Sequence, residues 1–311
     1  MIDFVHIPVL ANECIEALNI KENGIYVDCT MGGAGHSSLI AQRLKSGRLI
    51  AIDQDDDAIK AGKERLSKFS DRVTVVKSNF SRLRGILDEL QIDKVDGVLM
   101  DLGVSSFQLD SEERGFSYNS EARLDMRMDR QQSFDAYELV NTYSYEDLKR
   151  ILFTYGEEKN SAKIASKIVS VRQKAPIVTT ADLSAIIKSA FPPSSRWENK
   201  HPAKRSFQAI RMEVNLETKV LEEVLSQLTD CVAKDGRIAV ITFHSLEDRL
   251  VKTAFTSLAT GCICPKEFPV CVCGNKPKVK LITKKPITAT QQELENNRRA
   301  HSAKLRVAQI L

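Results

Sequence analysis

The chain has 311 residues, with a formal net charge of +4, 42% hydrophobic and 28% charged side chains. This describes an ordinary globular protein, long enough for one large domain or a core carrying an insertion. No apolar run approaches the ~20 residues that cross a bilayer. MIDFVHIPVLANE has an early acid and no basic stretch ahead of an apolar one, so it is not a secretory signal, and a cytoplasmic protein free of membrane is expected.

His6–Leu18 reads as a lead-in segment and short helix. Strands are then expected at Ile25–Asp28, Leu49–Ile52, Val73–Val76 and Val95–Met100, with helices at Ser37–Leu44, Asp56–Leu66 and Phe80–Leu90 between them. Such alternation predicts a parallel, doubly wound α/β sheet. The rhythm stops after Asp101. Residues 108–135 read as polar loop, and helical runs follow near Tyr145–Tyr155, Asn160–Gln173 and Ala181–Phe191, with apolar positions recurring at three and four residues. One long helix, Ala203–Ala233, is expected to end at Gly236, followed by a buried strand at Arg237–Phe243 and a helix from His244. Lys278–Thr283 and Ala303–Ala308 are candidate closing strands. The expected division is a core of residues 1–107 and 206–311 interrupted by a mostly helical insertion, 108–205.

The stretch Ile25–Ser37, IYVDCTMGGAGHS, carries the first functional signal. A glycine-rich turn between strand and helix lets a ligand approach the backbone and aims free N–H groups at it. Asp53, closing the second strand, is placed to accept both hydroxyls of a ribose. The dinucleotide fingerprint fails, because position 34 is Ala34 and position 37 is Ser37. Asp28, just before the turn, would repel a pyrophosphate but suit the cationic amino-acid end of S-adenosylmethionine. A plain tight turn remains the alternative.

Ligands in open α/β sheets bind beyond the carboxyl ends of the strands. Phe80, Asp101 with Ser105 and Ser106, Gln108, and His244 all follow such ends. Phe80 either lies against a purine or belongs to the core. His244 is either a base or a residue fixing its turn, and the second reading is preferred. Ser245 and Asp248 read as a helix cap.

Basic residues gather in two stretches. Arg196, Lys200, Lys204, Arg205 and Arg211 face only Glu198, and Gly274–Leu311 holds nine Lys or Arg, Arg298 and Arg299 among them, against two Glu. A polyanion-binding face and a solvated surface both fit this pattern. Cys14, Cys29 and Cys231 are scattered. Cys262, Cys264, Cys271 and Cys273 form C-x-C-x6-C-x-C. A reducing cytoplasm disfavours disulfides, and four thiolates suit structural zinc, although the spacing departs from C-x2-C.

VDCTMGGAGHS, AIDQD, DLGVSS, RLDMRMD, HPAKRSFQAIRMEVN, FHSLEDRLVK and NRRAHSAKLR, in this order, resemble the bacterial RsmH (MraW) family of 16S ribosomal RNA cytosine-N4 methyltransferases over the full length. The resemblance implies a class I methyltransferase fold with a helical insertion, and S-adenosylmethionine as donor. It puts donor contacts on Gly33, Ala34, Gly35, His36, Asp53, Phe80, Asp101 and Gln108. It implies as acceptor the exocyclic amine of a cytosine in the decoding centre, within 16S ribosomal RNA or the small ribosomal subunit. Many amino-methyltransferases end the fourth strand in Asp/Asn/Ser-Pro-Pro-aromatic, whereas this chain has Asp101-Leu-Gly-Val. Asp101 therefore either meets the base or holds the donor, with Ser105, Ser106 or a backbone carbonyl as the other acceptors. Arg196, Lys204, Arg205, Arg211, Arg298 and Arg299 would hold RNA backbone. A methyltransferase for DNA, protein or a small molecule, and a non-catalytic RNA-binding scaffold, are the competing classes. Monomer and homodimer both fit the sequence.

Overall fold

The computed structural model describes residues 8–192, 201–265, 268 and 270–311. Arg196 and Lys200 lie outside them. The chain forms two compact units, Met1–Gly103 with Lys219–Leu311, and Val104–Thr218.

The first unit opens with α1 (Ala11–Leu18) and continues through β1 (Ile25–Asp28), α2 (Gly35–Arg43), β2 (Arg48–Asp53), α3 (Asp56–Leu66), β3 (Val73–Lys77), α4 (Leu83–Glu89) and β4 (Val95–Asp101). Local chemistry sets these boundaries. Asp55 caps α3 by accepting the Asp57 N–H at 3.0 Å, with Asp56 and Asp57 in the first turn and Lys63 and Arg65 in the last, matching the helix dipole. Along β1 and β2 successive residues enter different cores: Val27 and Ile50 pack in one cluster, Tyr26 and Leu49 in another. Both sheet faces are thus covered, as a parallel sheet requires.

The second unit contains α5 (Ser106–Asp110), α6 (Ala136–Thr142), α7 (Tyr145–Thr154), α8 (Ser161–Arg172), α9 (Thr180–Ser189) and α10 (Lys204–Val214). Its own core joins Leu148, Ile151, Ile164, Ile168, Leu183 and Ile187 to Phe207 and Ile210. The stretch before α6, expected as polar loop, is pinned from within. Arg114 is 1% exposed and donates to the Arg127 and Met128 carbonyls at 2.9 and 3.2 Å. Gly115 beside it has φ +68, and a Cβ there would lie 2.5 Å from the Arg123 carbonyl oxygen, so glycine is required.

The chain returns to the first unit through α11 (Glu217–Cys231), β5 (Val232–Thr242), α12 (Ser245–Ala259), β6 (Val279–Leu281), α13 (Gln291–Asn296) and β7 (Lys304–Ile310). The expected single helix Ala203–Ala233 is two helices. Asn215 accepts the Met128 N–H at 2.7 Å and donates to the Met126 and Arg211 carbonyls, and Leu216 turns into the left-handed region at φ 51. The apolar stripe is therefore divided: Phe207, Ile210 and Val214 belong to the core of the second unit, and Leu221, Leu225 and Leu228 to that of the first. This moves the second boundary from residue 205 to Thr218/Lys219. Helix α11 also stops at Cys231, short of Gly236, because Val232 already pairs with Val95.

The sheet runs β3-β2-β1-β4-β5-β7-β6. β1 to β5 are parallel, and β7 is antiparallel to both neighbours. The order reverses between β1 and β4, which makes the carboxyl ends of β1, β2 and β4 the natural ligand crevice. This is the expected doubly wound α/β sheet, closed by an antiparallel strand.

Candidate active site

The turn after β1 is built by Asp28. Its carboxylate is 1% exposed, accepting the Thr30 N–H at 3.1 Å and the Ser37 hydroxyl at 2.6 Å. Thr30 and Ser37 each bond this carboxylate through backbone and side chain, so Asp28 shapes the site and does not offer itself to a cationic ligand as expected. Thr30 extends the network, its hydroxyl oxygen accepting the Asp101 N–H at 2.6 Å, and so ties β4 to the turn. Gly32 and Ala34 both adopt left-handed φ, 48 and 58. Ala34 caps α2 in that conformation, which no side chain completes. A Cβ on Gly33 would meet nothing within 4 Å, whereas one on Gly35 would press on Pro8 at 3.1 Å. Gly33 therefore borders open space, and Gly35 is a packing glycine.

Asp53 ends β2 with its carboxylate turned back on the turn. One oxygen accepts the Gly32 N–H at 2.7 Å and the other the Asp55 N–H at 2.9 Å. A carboxylate has about four acceptor sites, so lone pairs remain after these bonds. Burial pushes the Asp53 acid up to about 6, only partly opposed by the two N–H groups, with Asp55 and Asp28 adding to the rise. Next to it, Asn79 donates to Gln54 at 2.8 Å and caps the turn carrying Phe80, whose ring packs on the core at partial exposure.

His36 and Asp101 form the other side. His36 is buried, its Nε2 lying 2.9 Å from the Val9 carbonyl oxygen. A carbonyl only accepts, so Nε2 carries the proton, and the neutral ring presents the lone pair of Nδ1. That nitrogen faces Asp101 Oδ2 at 3.6 Å. Burial lowers His36 to about 4. Asp101 is driven well above the carboxylate range by burial, with Asp28 and Glu247 adding to it. The two shifts run in the same sense, each disfavouring the charged form of its group. The second carboxyl oxygen, Oδ1, is buried and has no hydrogen-bond partner among the described residues. Such an atom is costly unless a ligand completes it.

The remaining expected residues are placed otherwise. Ser105 and Gln108 form a reciprocal cap on α5: the Ser105 hydroxyl accepts the Gln108 N–H at 3.2 Å, and Gln108 Oε1 accepts the Ser105 N–H at 3.0 Å. His244 is a helix cap, accepting the Glu247 N–H at 3.4 Å while Glu247 Oε2 takes the Phe243 N–H at 2.9 Å. The capping pair is therefore His244 and Glu247, not Ser245 and Asp248. Asp248 instead binds Arg306 at 2.6 Å and Lys304 at 3.2 Å. Of the basic residues, Lys204, Arg205 and Arg298 are exposed, and Arg205 reaches the Glu157 carbonyl. Arg299 is half-buried. Arg211 is a bidentate partner of Glu217 at 2.7 and 2.8 Å, which removes it from any free cationic face. Thr30 and Val9 were not singled out from sequence; Thr30, two residues after Asp28, is the one a strand-end argument reaches.

The acids at the ends of β1, β2 and β4 carry no Lys or Arg ion pair among the described residues. Acids thus gather at the carboxyl ends of β1, β2 and β4, beside a turn whose N–H groups face them. The MraW methylase family profile matches residues 3–311, and the chain belongs to that family. A protein of Finegoldia magna named ribosomal RNA small subunit methyltransferase H is 52% identical over 308 residues, covering 99% of each chain. Its namesake in Brevibacillus brevis is 53% identical over 311 residues, covering all of this chain and 99% of that one. One from Agathobacter rectalis, ribosomal RNA small subunit methyltransferase H 2, reaches 56% over 307 residues and 98% of each. No described helix is long and apolar enough to cross a membrane.

Proposed function

We propose that this protein transfers a methyl group from S-adenosylmethionine to the exocyclic N4 amine of one cytosine in the decoding centre of 16S ribosomal RNA, in the cytoplasm, with the small ribosomal subunit or its RNA as partner. The observation that carries the RNA substrate is likeness, across nearly the whole length, to relatives named small-subunit rRNA methyltransferases. The observation that carries the donor is the buried, unpartnered Asp101 Oδ1 at the end of β4, with Asp53 bonded to the Gly32 N–H at the end of β2.

The residues present fit the donor. Asp53 keeps acceptor sites for ribose hydroxyls, and Gly33 leaves its face of the turn open. Phe80 offers a partly exposed ring to a purine. Ala34 and Gly35 set the backbone there, and Gln108 holds the α5 cap. When bound, the donor supplies a sulfonium methyl already activated for in-line attack, so alignment is the main task of the protein. Cytosine's amine is the harder partner, since its lone pair is delocalised into the ring. Asp101 Oδ1 accepts an N–H of the bound pair of substrates. Transfer would form the N4–C bond as the sulfonium S–C bond breaks, leaving a neutral thioether, and the proton lost from the amine would pass to solvent while Asp101 Oδ1 serves as hydrogen-bond acceptor. His36 acts through Asp101 and is a positioning residue. The target base leaves its stack to reach the crevice. Lys204, Arg205 and Arg298 hold the phosphate backbone, and Ser105 stands as the second acceptor.

The test is methyl transfer from labelled donor to small subunits and to their naked RNA, followed by nucleoside analysis. The expected product is N4-methylated cytosine. Label on protein or on free nucleotide would overturn the proposal.

A further inference from the structure

The cysteine loop between α12 and β6 plays no part in the donor site and has no hydrophobic reason to fold. No described residue from 261 to 278 is buried. Ile263, Val270 and Val272 are 67%, 70% and 73% exposed. A segment with no core needs a cross-link to hold one shape.

The shape it holds is specific. The sulfurs of Cys262, Cys264, Cys271 and Cys273 all lie within 4.8 Å of one another. Cys271 and Cys273 are 3.6 Å apart, and Cys273 and Cys262 are 3.8 Å apart. Disulfide sulfurs stand at about 2.0 Å, and all four cysteines are free. A tetrahedron of sulfurs around an ion with bonds of about 2.3 Å has edges of about 3.8 Å. Backbone N–H groups surround the sulfurs as they do around metal-bound thiolates: Val272 and Cys273 donate to Cys264 Sγ at 3.4 and 3.3 Å, and Ile263 and Asn275 donate to Cys273 Sγ at 3.4 Å each. The stem is closed separately. Asn275 bonds the Thr260 and Gly261 carbonyls at 3.1 and 2.7 Å, and the Lys278 N–H reaches the Leu258 carbonyl at 2.7 Å.

We infer that Cys262, Cys264, Cys271 and Cys273 form a closed structural zinc site that staples the connection from α12 to β6. All four ligands come from the chain, so no position is left open for a substrate and the role is structural. Binding replaces the S–H bonds of the four thiols with Zn–S bonds and releases their protons to solvent, with no change of oxidation state.

The test uses the full chain, purified under reducing conditions and incubated with zinc alone. Elemental analysis is expected to give one zinc per chain. Cobalt put in its place is expected to show thiolate charge-transfer bands and the intense visible absorption of a tetrahedral four-sulfur centre, a readout that needs no variant. Cys264→Ser and Cys271→Ser are expected each to lose at least tenfold in zinc affinity while keeping donor affinity, which reports an intact first unit. A reduced chain that takes up no zinc, an iron-filled site, or a Cys264→Ser variant that binds zinc as well as the parent chain would each overturn the inference.

Discussion

Asp53 and Asp248 belong to the same compact unit, one ending β2 and the other in the first turn of the helix after β5, yet their surroundings are opposite. Asp248 meets Arg306 and Lys304, which hold its carboxyl below the usual range against the opposing effect of burial. Asp53 meets only backbone N–H groups, and burial lifts it to about 6. Asp28 and Asp101 are raised in the same way. The fold supplies cations to one acid and none, among the described residues, to the other three; of these Asp28 is spent on its own turn, which leaves Asp53 and Asp101. The compensated acid fastens α12 to β7, and Asp53 and Asp101 are the two that the proposed donor site uses.

The sharpest way to break this comparison is to remove one acid of each kind. Asp53→Ala is expected to weaken donor binding on the order of 100-fold, the worth of two hydrogen bonds to a charged acceptor, while RNA binding is kept. Calorimetry with donor and filter binding with RNA separate the two, and equal loss of both in a folded variant would sink the ribose role. Asp248→Ala is expected to do the reverse. It strands Arg306, which is mostly buried, and should cost about 2–3 kcal/mol of stability with donor affinity unchanged. A normal urea midpoint, or a donor defect like that of Asp53→Ala, would remove the distinction.

Acidification sharpens it further. Asp53 titrates near 6 in the fold against 3.8 for a free carboxyl. Donor affinity should therefore fall as the pH drops through about 6, since the protonated acid loses acceptor sites, and Asp53→Asn should flatten that profile. The stability effect has the opposite sign. A raised acid costs stability that is absent below the unfolded value and complete above the folded one, so the parent chain should lose stability relative to Asp53→Asn as the pH rises from about 4 to about 6. Asp248 has a lowered value, so its contribution stays present above 3.8 and is lost only as pH falls through its depressed folded value. Parallel urea melts across this range read both signs.

The sheet was legible because its parallel strands each carry a short apolar run, such as LIAI in β2, VLM in β4 and IAVI in β5, and the glycine turn because only a special backbone needs GGAG between strand and helix. Asp53 was legible from its place at a strand end. What sequence could not show was how many partners each charge would find. Asp28 looked available and is enclosed by Thr30 and Ser37. Asp248 looked like a cap and is an ion-pair partner of residues more than fifty positions away. The helix from Ala203 was misread for a related reason. Periodicity reports an apolar face but not which core receives it, and here Asn215 hands one stripe to two cores.

The same test of partners, applied to cations, gives the smallest effects. Lys204 and Arg298 are exposed, whereas Arg211 spends its guanidinium on Glu217. Removing one cation from a phosphate should lower the slope of log affinity against log salt by about 0.7–0.9. Lys204→Ala and Arg298→Ala are therefore expected to weaken binding of 16S ribosomal RNA a few-fold each, to flatten the salt dependence by about that step, and to leave thermal stability alone. Arg211→Ala should leave the salt slope intact and lower stability, because Glu217 is left half-buried without its partner. Binding measured at several salt concentrations beside a melting curve decides the matter. An Arg211→Ala variant with a flattened slope and an unchanged melt would return that residue to the RNA face and show that a visible ion pair is no guide to which cations serve the substrate.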